Sequence, residues 1–123
     1  MAWEKPAPEL IDILDGALLG CGCERRMMFG SPAYFVNGNM FSGVHQRSMI
    51  LRLSADDRVS LAEEYDEAGP FEPMEGRPMK EYMVLPEAVY RDAEVLGEWL
   101  SRGRDYTASL PPKEKKPKSK ESV

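Results

Sequence analysis

A chain of 123 residues, 42% hydrophobic and 30% charged, has room for one folded core and a tail, and no apolar run nears the ~20 residues of a membrane span. The formal charge of -5 is unevenly spread: from Pro111 onward five lysines face two glutamates, so the tail carries +3 and residues 1–110 carry -8. An acidic folded part argues against a broad phosphate-binding face. The opening residues have neither the basic region nor the apolar stretch of a signal peptide, so the expected location is cytoplasmic, without membrane contact.

Apolar residues at Leu10, Ile11, Leu14, Ala17 and Leu18 have helical spacing, and Gly20 and Gly22 supply the positive φ that commonly ends a helix. Glu24, Arg25 and Arg26 lead into the strongest local signal in the chain, two apolar runs around Asn37-Gly38. That pair predicts a type I′ turn between strands over Ala33 to Val36 and Met40 to Val44, because both central residues need φ above zero. Strict alternation would put Met40, Ser42 and Val44 on one face and Phe41, Gly43 and His45 on the other. After a second turn at Gln46 and Arg47, Met49, Leu51 and Leu53 alternate with Ile50 and Arg52 as a half-buried third strand.

Ser54, followed by Asp57 three residues on, resembles a capping box that opens a second helix. Its expected buried stripe is Val59, Leu61, Ala62 and Tyr65, and it should stop at Gly69-Pro70. Residues 70–75 and 79–85 then flank a turn at Gly76-Arg77-Pro78. Pro73 confines the first of these segments to a sheet edge, and the second reads as a strand that Leu85-Pro86 ends. Asp92 caps a last helix with Val95, Leu96, Trp99 and Leu100 at helical spacing, Trp99 as anchor. The division expected is a folded domain over residues 1–110 and a disordered Lys/Pro-rich tail over 111–123, too polar to offset its ordering cost.

Few residues suggest chemistry. Cys21 and Cys23, one residue apart, would close a strained ring as a disulfide and are expected as reduced thiols. With His45, the one histidine, they offer at most three soft metal ligands, so neither a metal nor a cofactor is expected. The glycines are scattered at turns rather than gathered into a phosphate loop, and Glu63, Glu64, Asp66 and Glu67 fan around a helix instead of converging on an ion. Eight methionines suit core filling, with an adaptable binding surface as the alternative.

Met28-Phe29-Gly30, Asn37-Gly38 with Phe41, Gly76-Arg77-Pro78, Tyr82 with Leu85-Pro86, and Trp99 together resemble the TfoX N-terminal domain family over about residues 8–104. Ser31, Pro32 and Ala33 depart from the glycines that such domains carry after Met-Phe-Gly. The pattern gives the order α-β-β-β-α-β-β-α, and the resemblance implies an α+β two-layer fold of the secretion-chaperone type, with helices packed on one face of an antiparallel sheet. It also implies a stand-alone N-terminal domain, where longer relatives add a helical domain linked to control of competence genes.

No catalytic constellation accompanies this signature. The expectation is therefore a small non-enzymatic regulatory or interaction domain that binds another protein or itself as a homodimer. The alternatives are a nucleic-acid accessory protein contacting phosphates weakly through its tail, or an enzyme of unrecognised chemistry.

Overall fold

The structure, a computed structural model, describes residues 7–20, 22–28, 31–72 and 81–111. The turn expected at Gly76 to Pro78 and all of the tail beyond Pro111 lie outside these residues. Helix α1 (Pro8–Ala17) starts on a proline, whose missing N–H costs nothing in the first turn. Gly20 and Gly22 follow its end, both at φ +79°, as a chain reversal requires. Strands β1 (Glu24–Met28), β2 (Ser31–Val36), β3 (Asn39–His45) and β4 (Ser48–Arg52) then run antiparallel, each to the next. Helix α2 (Ala55–Glu64), β5 (Gly69–Pro70), β6 (Tyr82–Leu85), a single-turn α3 (Glu87–Tyr90) and α4 (Ala93–Ala108) complete the chain. The sheet order is β1-β2-β3-β4-β6-β5.

This is the expected α+β architecture, an antiparallel sheet with helices packed on it. Pattern alone did not anticipate two of its elements, β1 and α3. Leu10 and Leu14 of α1 and Leu96, Trp99 and Leu100 of α4 meet Val44, Met49, Leu51, Met83 and Leu85 of the sheet in one core. Alternation along β4 and β6 sends Ile50, Tyr82 and Val84 to the opposite face, where they cluster with Met40 and Phe71. Helix α4 lies close on the sheet because Gly103 has no Cβ; one built there would stand 2.5 Å from Leu51 Cδ1 and 2.7 Å from the Arg52 carbonyl.

The turn at Asn37-Gly38 has φ 55° and 79° and joins β2 to β3 as expected. The faces of β3 differ from strict alternation. The register steps from Tyr34 opposite Ser42 to Phe35 opposite Met40, so Phe41 is an extra residue in a β-bulge. The bulge turns Phe41 into the helix-side core, fully buried, and leaves Met40 in the cluster on the other face. A sequence periodicity of two has no means of registering one inserted residue.

Helix α2 also differs. Ser54 accepts the Asp57 N–H at 3.2 Å, as its capping pattern predicts. Of the expected stripe, Leu61 is buried and Tyr65 half-buried, whereas Val59 and Ala62 are exposed. Val59 is two residues from Leu61, or about 200° around the helix, and cannot share its face. The inward side runs through Asp57, Arg58, Leu61 and Tyr65, and Arg58 donates to the Leu53 carbonyl at 2.7 Å. The helix stops at Glu64, before Gly69-Pro70, and that dipeptide is itself the short strand β5 at the sheet's edge. Asp92 caps α4 through Glu94 N–H at 3.0 Å and Val95 N–H at 3.2 Å.

Candidate interaction surface

The sheet has two outer strands of different character. At one end β5 is two residues long and includes Pro70, which has no N–H to offer. At the other end β1 is five residues long without proline, and Glu24, Arg25, Arg26 and Met27 are all exposed. The neighbouring β2 is by contrast buried over Pro32 to Phe35. Glu-Arg-Arg reads as a connection because charge hides strand periodicity; the recoverable signal was the β-competent run ending in Met27-Met28 just before a hairpin.

The cations of β1 are already balanced. Arg25 forms a two-bonded fork with Asp15 of α1, at 3.0 Å for both Nε and Nη2, and the Tyr34 hydroxyl donates to the same carboxylate at 2.5 Å. Arg26 pairs with Glu24 at 2.8 Å and lies over the Phe35 ring, 4.6 Å from its centroid. The side chains of β1 therefore divide by alternation, with Arg25 and Met27 on the helix side and Glu24 and Arg26 on the other. Met27 is 58% exposed, and Leu19, on the connection from α1 into β1, is 86% exposed. These are two of the three large apolar side chains exposed among the described residues, and the third, Val59, lies on α2.

A second carboxylate of the same design braces the far side of the sheet. Glu81 takes Arg52 Nε at 2.8 Å and the Tyr106 hydroxyl at 2.6 Å, tying β4 and the start of β6 to α4. Its backbone has φ 74°, and its carbonyl accepts the Leu53 N–H at 2.8 Å. The Tyr106 hydrogen bond, with Arg52 beside it, holds the Glu81 carboxyl below its ordinary pKa against the opposing effect of burial. At Asp15, burial pushes the carboxyl up, but the hydrogen bonds from Arg25 and Tyr34 outweigh it and the net shift is downward. Burial and then the Asp15 hydrogen bond raise Tyr34, while the Glu81 hydrogen bond and then burial raise Tyr106. Each triad joins elements distant in sequence, so no local motif announces it.

The residues singled out from sequence fall mostly on structural duties. The Asn37 side-chain amide donates to the Ala108 carbonyl at 3.3 Å, and that of Asn39 to the Pro111 carbonyl at 3.1 Å, so the hairpin tip also holds the end of α4. Phe41 fills the core, Pro86 precedes α3, and the Tyr82 hydroxyl donates to the Met40 carbonyl at 2.7 Å. Trp99 is buried with the Arg102 guanidinium 4.5 Å above its ring. Met28 ends β1 opposite Ser31. Phe29, Gly30 and Gly76 lie outside the described residues.

His45, half-buried at the end of β3, meets the Phe71 ring edge-on at 5.1 Å between centroids. Among the described residues no three His, Cys, Asp or Glu side chains group to hold a metal ion. Cys23 corrects the expectation of reduced thiols, since it is disulfide-bonded. The adjoining Gly22, at φ +79°, supplies a sharp bend that residue spacing alone does not reveal. Cys21, the other cysteine of the chain, is outside the described residues. Thr107 Oγ1 is buried on α4 without a hydrogen-bond partner among the described residues.

What the fold presents is a small helix-backed antiparallel sheet with one long, charge-balanced outer strand. The chain belongs to the TfoX N-terminal domain family, whose family model matches residues 17–105. No curated protein and no solved structure matches it. Among the described residues no helix is long and apolar enough to cross a membrane.

Proposed function

We propose that this chain is a small non-enzymatic interaction domain of regulatory type, binding another protein along the outer side of β1. The observation that carries this reading is the contrast between the two sheet edges. β5 is short and interrupted by Pro70, whereas β1 is longer, exposed and electrically balanced. A partner strand laid on an edge gains main-chain hydrogen bonds, and side chains on alternate positions give it selectivity. Cations on an edge strand ordinarily repel such additions. Here Asp15 and Glu24 neutralise them, and Met27 adds apolar area.

The expected cellular setting is the cytoplasm, and by family association the role is regulatory, connected with competence. The test is capture of a stoichiometric protein partner, a second copy included, by the full chain carrying an affinity tag. A Met27→Pro variant, with folding checked by circular dichroism, should lose the partner. Undiminished capture by the folded variant would reject β1 as the surface, and turnover in a broad substrate screen would reject the non-enzymatic reading.

A further inference from the structure

We infer that the occupant of the β1 edge is a second copy of this chain, added antiparallel across a two-fold axis through Arg25; the inference rests on the interaction reading above. Antiparallel self-pairing of Glu24–Met28 admits few registers, and only the one centred on Arg25 sets opposite charges face to face. With Arg26 opposite its own symmetry mate, two guanidiniums on the Phe35 side face each other. Arg25 cannot stand opposite Arg26 of the other copy, because the two side chains lie on different faces and a two-fold axis keeps each face on its own side. With Arg25 on the axis, Glu24 of each copy stands opposite Arg26 of the other, and two reciprocal ion pairs form. They exchange partners with the existing Glu24–Arg26 pair, at 2.8 Å within one chain, so no new charge has to be found.

The residue on the axis is the one whose charge is cancelled from outside the strand. Arg25 is forked onto Asp15 at 3.0 Å, so two copies of it can approach without a bare repulsion. The backbone suits the same register. Met27 stands opposite Pro32, whose nitrogen has no hydrogen to give, which fits a pair that exchanges no ladder bonds with β2. By alternation Arg25 and Met27 then turn their N–H and C=O groups outward, and the central Arg25 pair can exchange both bonds. Met27 of one copy falls opposite residue 23 of the other, at the end of β1 into which the connection bearing the exposed Leu19 leads. The two six-stranded sheets become one continuous sheet.

The experiment is sedimentation velocity over a concentration series with the full chain, Glu24→Arg, Arg26→Glu, and an equimolar mixture of these two variants. The full chain should dimerise, and each variant alone should associate about tenfold more weakly or not at all, since its strand then opposes like charges. The mixture should restore the dimer, because positions 24 and 26 are both cationic in the first variant and both anionic in the second, so every cross-strand pair joins opposite charges. Loss of the intrachain Glu24–Arg26 pair is common to both variants and does not recover on mixing, so a purely structural role predicts no rescue. A full chain that stays monomeric at every concentration, or a mixture no more associated than its components, would overturn the homodimer. If Met27→Pro meanwhile still abolished capture of a different protein, the homodimer would fall and the β1 interaction reading would stand.

Discussion

At Gly38 the backbone has φ 79°, a conformation that a β-branched side chain resists strongly. Gly38→Val should cost more than the ~1 kcal/mol of an average substitution. An unchanged thermal melt would contradict the type I′ turn. Thr107 presents the opposite case, since its hydroxyl is buried without a partner among the described residues. Thr107→Val keeps the shape and removes a polar group whose desolvation costs about 1–3 kcal/mol. Its melting temperature should hold or rise, and a clear fall would show that the hydroxyl is bonded.

Between elements, the two carboxylate triads do work that packing does not. Asp15 fixes α1 to β1 and β2 through Arg25 and Tyr34, and Glu81 fixes β4 and β6 to α4 through Arg52 and Tyr106. Both carboxyls are held below their ordinary pKa, so each contributes stability that is complete above the unfolded carboxylate range and disappears as pH falls through the folded value. Both are partly solvent-exposed, which moderates the effect. Asp15→Asn with Glu81→Gln should lower the melting temperature at neutral pH, and the gap from the parent chain should close below about pH 4. A gap independent of pH would mean that lost packing, not lost charge, is responsible. The tyrosines act at the other limit. Their folded pKa values are raised, so what they contribute is present below the ordinary tyrosine range and lost as pH climbs through the raised value.

On the scale of the molecule, charge decides what the surface can bind. Residues 1–110 carry -8 and the segment from Pro111 carries +3, so any DNA affinity should belong to the tail. It should weaken with salt at a log-log slope no steeper than about -3 to -5, given ~0.9 per phosphate contacted. Comparing the full chain with one ending at Leu110 across a salt series checks this; tight, sequence-selective binding that survives the truncation would point to direct DNA recognition instead. The same truncation removes one bond to the described fold, from Asn39 to the Pro111 carbonyl. A cost of about 0.5–1.5 kcal/mol and a correspondingly small drop in melting temperature are expected.

Local rules were legible wherever a residue acts on its immediate neighbours. Asn37-Gly38 set its own turn, Ser54 and Asp92 capped their own helices, and Met49, Leu51 and Leu53 alternated inward because a strand's side chains must. Asn37-Gly38 also belongs to the residues that carried the family resemblance, a signature written in short stretches. The sequence by itself therefore determined the α+β class, the order of all the elements but β1 and α3, and the family. Only the tertiary structure decided that Glu24 to Met28 is a strand, because its partner Ser31 to Phe35, not its own charged pattern, makes it one. It also decided that a bulge turns Phe41 inward, and that Asp15 and Glu81 collect an arginine and a tyrosine each from other elements. Those features depend on pairing between segments, and pairing is a property of the folded sheet that no window along the chain contains.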